Sequence, residues 1–335
     1  MDFEKFIEQV TELLKFYLPE EYAGADITVQ EVTKNNDQKL HALCIKRPED
    51  RVVPNIYLEG FYRMFQNGRK MNKILADISL THQHSMRESA QWRDLHVGKY
   101  DTVKDNLYVT VLNREKNREY LKDIVHQDIP DTDIAAVLRV LCGRDQERGN
   151  ASILVKKSML EEWGVSGEGL FEQALKNTER LFPPKMLDLA NIMYLGADDS
   201  ISSKKLESYS QYVLTNDTKV HGAATLLYPN LLQEIGEATG GSFFILPSSI
   251  HETILIKDNG KMSAEELQRM VMEVNRTQVS PEEVLSDEVY SYDYRERKLT
   301  MATDPAQTKE YVEQMAGEFG REDSVEEAEA EEMER

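Results

Sequence analysis

Ser248, Ser249, His251 and Glu252 crowd one junction, Leu246-Pro247-Ser248-Ser249-Ile250-His251-Glu252, with His221 on a second stretch read as its neighbour. A serine nucleophile needs a base within hydrogen-bonding reach and a third group to orient that base. Ser249 and His251 are two apart, so on one strand they share a face, which brings them close but does not set the usual relay geometry. The Gly-x-Ser-x-Gly elbow that exposes such a serine does not surround them. The chemical alternative is a hydrolase using His251 with Glu252, Ser249 or His221. The plainer expectation is a Pro-Ser-Ser turn or bulge whose His251 and Glu252 are solvated or hydrogen-bonded locally.

Two further groups invite chemistry. His82 and His84 could chelate a metal if Thr81 to Ser85 were extended, but on a helix residues two apart point about 200° apart. No His-Glu-x-x-His pattern or cysteine pair accompanies them, so no metal is expected. Tyr290, Tyr292 and Tyr294 alternate with Val289, Ser291 and Asp293 and make one aromatic face of a strand. Such a face can bind a ligand or a partner, and it more often packs the core side of a sheet. Gly240-Gly241 follows a helix, whereas a Walker loop precedes one, and Gly-x-Gly-x-x-G does not occur, so no nucleotide cofactor is expected.

The elements that must hold these residues are readable. Tyr212 to Asn216 is a strand, and Asp217-Thr218 turns the chain into Lys219 to Ala223. A helix from about Pro229 to Thr239 ends at Gly240-Gly241, and Phe243 to Ser249 and Ile250 to Ile256 read as adjacent strands. Ser263 and Glu266 form a capping box ahead of Leu267, Met270, Val271 and Val274. Ser280-Pro281-Glu282-Glu283 and Asp304-Pro305 repeat that helix-start logic. Nearer the N-terminus, Phe3, Phe6, Ile7, Val10, Leu13, Leu14 and Tyr17 recur at helical spacing. Asp26 to Lys34 and Lys39 to Lys46 form a hairpin about Asn35-Asn36-Asp37. Asn55 starts a helix closed by Gly68, and Met71 to Ile78 gives another. In the middle, Leu107 to Leu112 alternates as a strand and Asn113 caps a charged helix through Asp123. Asp131 to Leu141 is open between helix and strand. Ala151 to Val155 is a short buried strand, Ser158 caps a helix ending at Trp163-Gly164, and Ser166 starts one before Pro183-Pro184.

These pieces describe an α/β (α+β) chain with mixed or antiparallel sheets, packed helices and several subdomains. The expected parts are residues 1–90, 91–200 and 201–316, the last built on the strand pair within 243–257, with a linker at 196–203 and a disordered acidic tail at 317–335. The formal charge is −20, of which nine acids against two bases in residues 316–335 supply −7. An acidic surface repels phosphates, whose binding needs Lys and Arg to displace counterions, so nucleic acid is not an expected partner. The composition, 40% hydrophobic and 30% charged, is that of a globular protein, and no apolar run reaches membrane-span length. The start, Met1-Asp2-Phe3-Glu4-Lys5, lacks a basic region followed by an apolar core, and only Cys44 and Cys142 occur. A reducing cytoplasm is the expected location.

Val213-Leu214-Thr215-Asn216, Gly222-Ala223, Ile245 to Glu252 and Glu273-Val274-Asn275 together resemble a family of bacterial proteins, frequent in anaerobic Firmicutes, catalogued as a domain of unknown function. Asn55-Ile56-Tyr57-Leu58-Glu59 and Leu285-Ser286-Asp287-Glu288-Val289-Tyr290 fit the same family, so the resemblance spans most of residues 1–300. Leu160 to Phe182 is similar to a second uncharacterised family of Bacillus type. The resemblance implies a bacterial, cytoplasmic α/β protein and transfers no catalytic residue. The first expectation is a non-catalytic module that binds a protein partner or a small ligand. The hydrolase above is the alternative, and an acidic DNA mimic, suggested by charge alone, is a third.

Overall fold

The structure is a computed structural model that describes residues 1–50, 53–90, 97–145, 149–190, 192, 211–247 and 249–308. Ser248, the 196–203 linker and the 317–335 tail lie outside the described residues. In chain order the elements are α1 (Phe3–Leu13), β1 (Asp26–Thr33), β2 (Lys39–Lys46), β3 (Ile56–Tyr57), α2 (Leu58–Gln66), α3 (Met71–Ala90) and α4 (Tyr100–Val103). Then come β4 (Leu107–Asn113), β5 (His126–Asp128), β6 (Ile134–Asp145), β7 (Gly149–Leu154), α5 (Lys157–Trp163), α6 (Leu170–Leu181), β8 (Pro184–Asp188) and β9 (Gln211–Asn216). The rest are α7 (Leu231–Thr239), β10 (Phe243–Leu246), β11 (Thr253–Lys257), α8 (Ala264–Thr277), β12 (Tyr290–Asp293) and β13 (Lys298–Met301). Helices packed with antiparallel sheets make this the expected α/β (α+β) class. Contacts group the chain into two compact units that are not consecutive stretches: 1–106 with 116–124 and 140–167, and 107–115 with 125–139 and 168–335.

In the first unit, the Asp2 carboxylate accepts the Lys5 amide and starts α1, whose apolar face buries Phe6 and Val10. The β1–β2 hairpin pairs Asp26 with Lys46 through Thr33 with Lys39. Its connection works because Asn36 and Asp37 take the left-handed backbone that Asn and Asp tolerate. Phe6, Val10, Leu43, Ile45, Leu58 and Ile74 meet in one core. Each such side chain contributes about 1.5–3 kcal/mol by leaving water.

The second unit is organised by a six-stranded sheet in the order β13-β12-β10-β11-β9-β8. Alternation along its strands gives it two apolar faces. Tyr212, Leu214, Phe243, Ile245, Leu255 and Tyr290 occupy one, packed with Leu232 and Ile235 of α7. Leu246 lies on the other with Phe244, Ile254 and Ile256, under Leu267 and Val271 of α8. The Ser263–Glu266 capping box that starts α8 is complete: the Ser263 oxygen accepts the Glu266 amide, and the Glu266 carboxylate accepts the Ser263 amide. Gly240, left-handed at φ 68°, ends α7.

Several expectations fail, each for a local reason. Asn55 does not start a helix, because Ile56–Tyr57 pairs with β2 as β3 and α2 begins at Leu58. The helices expected at Ser158 and Ser166 begin behind Lys156 and Gly169. The strands expected to run through Ser249 and from Ile250 stop at Leu246 and start at Thr253, so Ser249 and His251 lie in a loop. The strand expected to be buried at Ala151 to Val155 exposes Ile153. Asn113 does not start a helix; it is buried and donates to Asp133, and only short 3₁₀ turns follow at Glu115–Asn117 and Tyr120–Lys122. Lys219 to Ala223 is not a strand, because Lys219 and His221 take left-handed φ of 56° and 55° and lead into a 3₁₀ turn, Gly222–Leu227. Ser280-Pro281 opens a single turn closed by the Glu283 amide on Ser280 O, not a helix, since the Glu283 carbonyl is taken by the Ile250 amide. The open stretch resolves as a strand, β6.

Candidate functional site

Of the residues singled out for chemistry, Ser249, His251 and His221 meet in the second unit, where the turn after β9 faces the loop between β10 and β11. Asn216 builds the turn from its own side chain. Its oxygen accepts the amide and hydroxyl of Thr218, and its Nδ2 donates to Val220 O at 2.9 Å. Gly222 must be glycine here: a Cβ would lie 2.1 Å from Thr215 Oγ1 and 2.4 Å from the His251 carbonyl oxygen. That close approach is what lets the turn and the loop clasp.

The clasp is made mostly of backbone. Thr215 Oγ1 donates to His251 O at 2.8 Å, the Ala223 amide donates to Ile250 O at 3.2 Å, and the Ile250 amide donates to Glu283 O at 2.8 Å. Two hydrogen bonds from backbone amides end on side chains of the candidate residues. The His251 amide donates to Ser249 Oγ at 3.0 Å, and the His221 amide donates to His251 Nδ1 at 3.1 Å. Because Nδ1 accepts, the neutral ring carries its proton on Nε2, which lies 3.4 Å from Glu283 Oε1. The His221 and His251 rings are 5.6 Å apart and tilted by 32°. Burial pushes the His221 imidazole down to about 3, with the charge of Arg139 and then His251 acting in the same direction.

The site therefore brings together His251, Ser249 and His221, and adds Glu283, which the sequence reading had placed in a helix start. Glu252 is half-buried and takes no part in these bonds. Ser249 Oγ meets the backbone of His251 and not its ring. The His82/His84 pair does not converge: both lie on α3, His84 is exposed, and His82 is fully buried with its ring edge-on to Tyr22 at 5.0 Å. Burial lowers the His82 pKa. Among the described residues no group of three or more His, Cys, Asp or Glu side chains is arranged to hold a metal ion.

The tyrosine face divides. Tyr290 is fully buried, and Tyr292 packs on Phe243 at 5.4 Å and donates to Gln233 Oε1 at 3.2 Å. Tyr294 lies just past β12 and is half-buried, close enough to α7 that a Cβ on Gly236 would sit 2.6 Å from its own Cβ. Tyr290 leads to a polar network that motif reading missed. Asp133 accepts from Tyr290 Oη at 2.6 Å, Ser286 Oγ at 2.7 Å and Asn113 Nδ2 at 2.6 Å. Nearby, Glu288 Oε2 accepts from Thr303 Oγ1, Gln268 Nε2 and Thr308 Oγ1 at 2.6, 2.9 and 3.0 Å. These six donors are neutral. Burial raises the pKa of Glu288, and burial followed by the Asp133 charge raises that of Tyr290. The one sequence signal was a tyrosine at a core-facing strand position, which must find a partner for its hydroxyl.

A separate small cleft of about 120 Å³ opens on the α8 side of the sheet, floored by Phe244, Ile256 and Leu267 and edged by Gln211, Lys257 and Met262.

A family model matches residues 3–294. The chain belongs to DUF5688, a family of unknown function. The DUF5688 match takes in the whole clasp, the Asp133–Tyr290 network and the cleft. No curated protein and no solved structure matches the chain. No helix among the described residues is long and apolar enough to cross a membrane.

Proposed function

We propose that this DUF5688 chain is a non-catalytic binding module of the bacterial cytoplasm that takes a protein partner or a small ligand. The observation that carries the reading is the hydrogen bonding of Ser249 and His251. A serine nucleophile donates its hydroxyl proton to the base that activates it. Here Ser249 Oγ accepts from the His251 amide, and the ring Nδ1 is taken by the His221 amide. Both side chains serve the loop's shape. The cytoplasmic assignment draws support from the sparse cysteine content, Cys44 and Cys142, too few and too far apart in sequence for a disulfide framework. A formal charge of −20 favours partners other than nucleic acid.

For a small ligand, the cleft above Phe244, Ile256 and Leu267 is the place with the right chemistry. Its apolar floor is edged by Gln211, Lys257, Asn259 and Lys261, which suits a small ring carrying a polar or anionic group. The test is amide NMR of the full chain titrated with benzoate, phenol and cyclohexanol, beside a turnover screen of ester, peptide and phosphate substrates. Saturable shifts confined to residues around 244, 256 and 267, with no turnover, are expected. Turnover by the wild-type chain that is lost on His251→Ala would replace this reading with the hydrolase.

A further inference from the structure

We propose that the contact between His221 and His251 is an acid-released latch on the turn that joins β9 to the following 3₁₀ helix. It rests on hydrogen-bond direction and does not depend on what the protein binds. At neutral charge, His251 Nδ1 is an acceptor, and the His221 amide fills it at 3.1 Å. Protonation puts a hydrogen on Nδ1, so an acceptor becomes a donor facing an N–H group. The Nε2 proton faces Glu283 Oε1 at 3.4 Å in both states, so the added charge strengthens that pairing and leaves the ring in place. The bond to His221 is the one that must break.

What the latch restrains is a strained turn. Lys219 and His221 both hold left-handed φ, a conformation that is unfavourable for a non-glycine residue and persists only where surrounding contacts hold it. The other contacts across the clasp, Thr215 to His251 O and Ala223 to Ile250 O, do not involve the imidazole and survive its protonation. Release is therefore confined to the His221 end of the turn, since Asn216 still holds Thr218 and Val220. His221 cannot take the proton in place of His251, because its own ring is buried beside Arg139. The charged and titratable groups on the surrounding elements are Asp217, Lys219 and His221 on the turn, Glu282 and Glu283 after Pro281, Glu252 on the loop, and Arg139 on β6.

The experiment is NMR of the full chain from pH 8 to pH 5, following the ring nitrogens of His251 and the exchange rate of the His221 amide. At high pH the spectra should show Nδ1 unprotonated and Nε2 protonated. On acidification the protection of the His221 amide, corrected for intrinsic exchange, should fall at least tenfold. Its midpoint should coincide with the titration of the His251 ring. His251→Asn keeps an acceptor oxygen near the Nδ1 position and removes the titration, so its His221 amide should stay protected throughout. The latch is overturned by the opposite ring tautomer at pH 8, or by a protected His221 amide while the His251 ring titrates. Should His251→Asn not fold, those two wild-type readings decide by themselves.

Discussion

Tyr290 Oη donates to Asp133 Oδ1 at 2.6 Å, joining a strand near the end of the described chain to a turn 157 residues earlier. The phenol is fully buried, and the Asp133 carboxylate it serves is buried with it. Removing the hydroxyl leaves a buried acceptor short of a partner, which costs about 1–3 kcal/mol. Tyr290→Phe should therefore lower unfolding free energy by that amount in urea titrations with an unchanged slope. A loss below about 0.5 kcal/mol, the usual range for a surface substitution, would mean that this bond does not hold the second unit.

Glu288 sets a pH dependence of known sign. Its folded pKa is raised above the ordinary 4.5, so its contribution to stability is full below that value and is lost as pH rises through the folded pKa. Glu288→Gln keeps an acceptor oxygen and carries no charge. Relative to wild type, the variant should gain stability on going from pH 4 to pH 8, measured by denaturant unfolding at both. A relative loss over that window would contradict the assignment.

His221 works in the opposite direction. Its folded pKa is depressed from 6.5 to about 3, so its contribution is full above 6.5 and is lost as pH falls toward 3. Asn accepts the left-handed backbone at this position. Melting of His221→Asn should thus be less sensitive to acid than melting of wild type between pH 6.5 and pH 4. Equal acid sensitivity would show that the ring is hydrated.

Gly222→Ala should be among the most damaging small substitutions in the chain. The added methyl meets backbone and a held hydroxyl at 2.1–2.8 Å, and none of these is the free end of a flexible side chain. A loss of about 1–3 kcal/mol is expected from overpacking. An unchanged melting temperature would show that the turn and loop do not approach each other this closely.

Local signals in the sequence located most of the scaffold. Ser263 with Glu266, Gly240 after α7, and Asn36-Asp37 in the hairpin each act within a few residues, and each does in the structure what its chemistry dictates. Local signals misled where a distant partner claimed the residue first. Asn113 has the chemistry of a helix cap, but Asp133 takes its side chain. Ser280-Pro281 has the pattern of a helix start, but Ile250 takes the Glu283 carbonyl that would continue it. At the site, the gathering of Ser249, His251 and His221 was legible. The direction of their hydrogen bonds was not, because it depends on Glu283 and on two left-handed residues before Gly222.

If His251 shapes the loop and takes no part in turnover, as proposed, removing its ring costs stability alone. The most direct measurement pairs thermal unfolding of wild type and His251→Ala with an ester, peptide and phosphate hydrolysis screen of both. The expected result is no turnover in either protein and a loss of about 0.5–3 kcal/mol in the variant, the ordinary range for a single substitution that breaks local bonds. Hydrolysis by wild type that vanishes in His251→Ala while the melting curve stays put would contradict it.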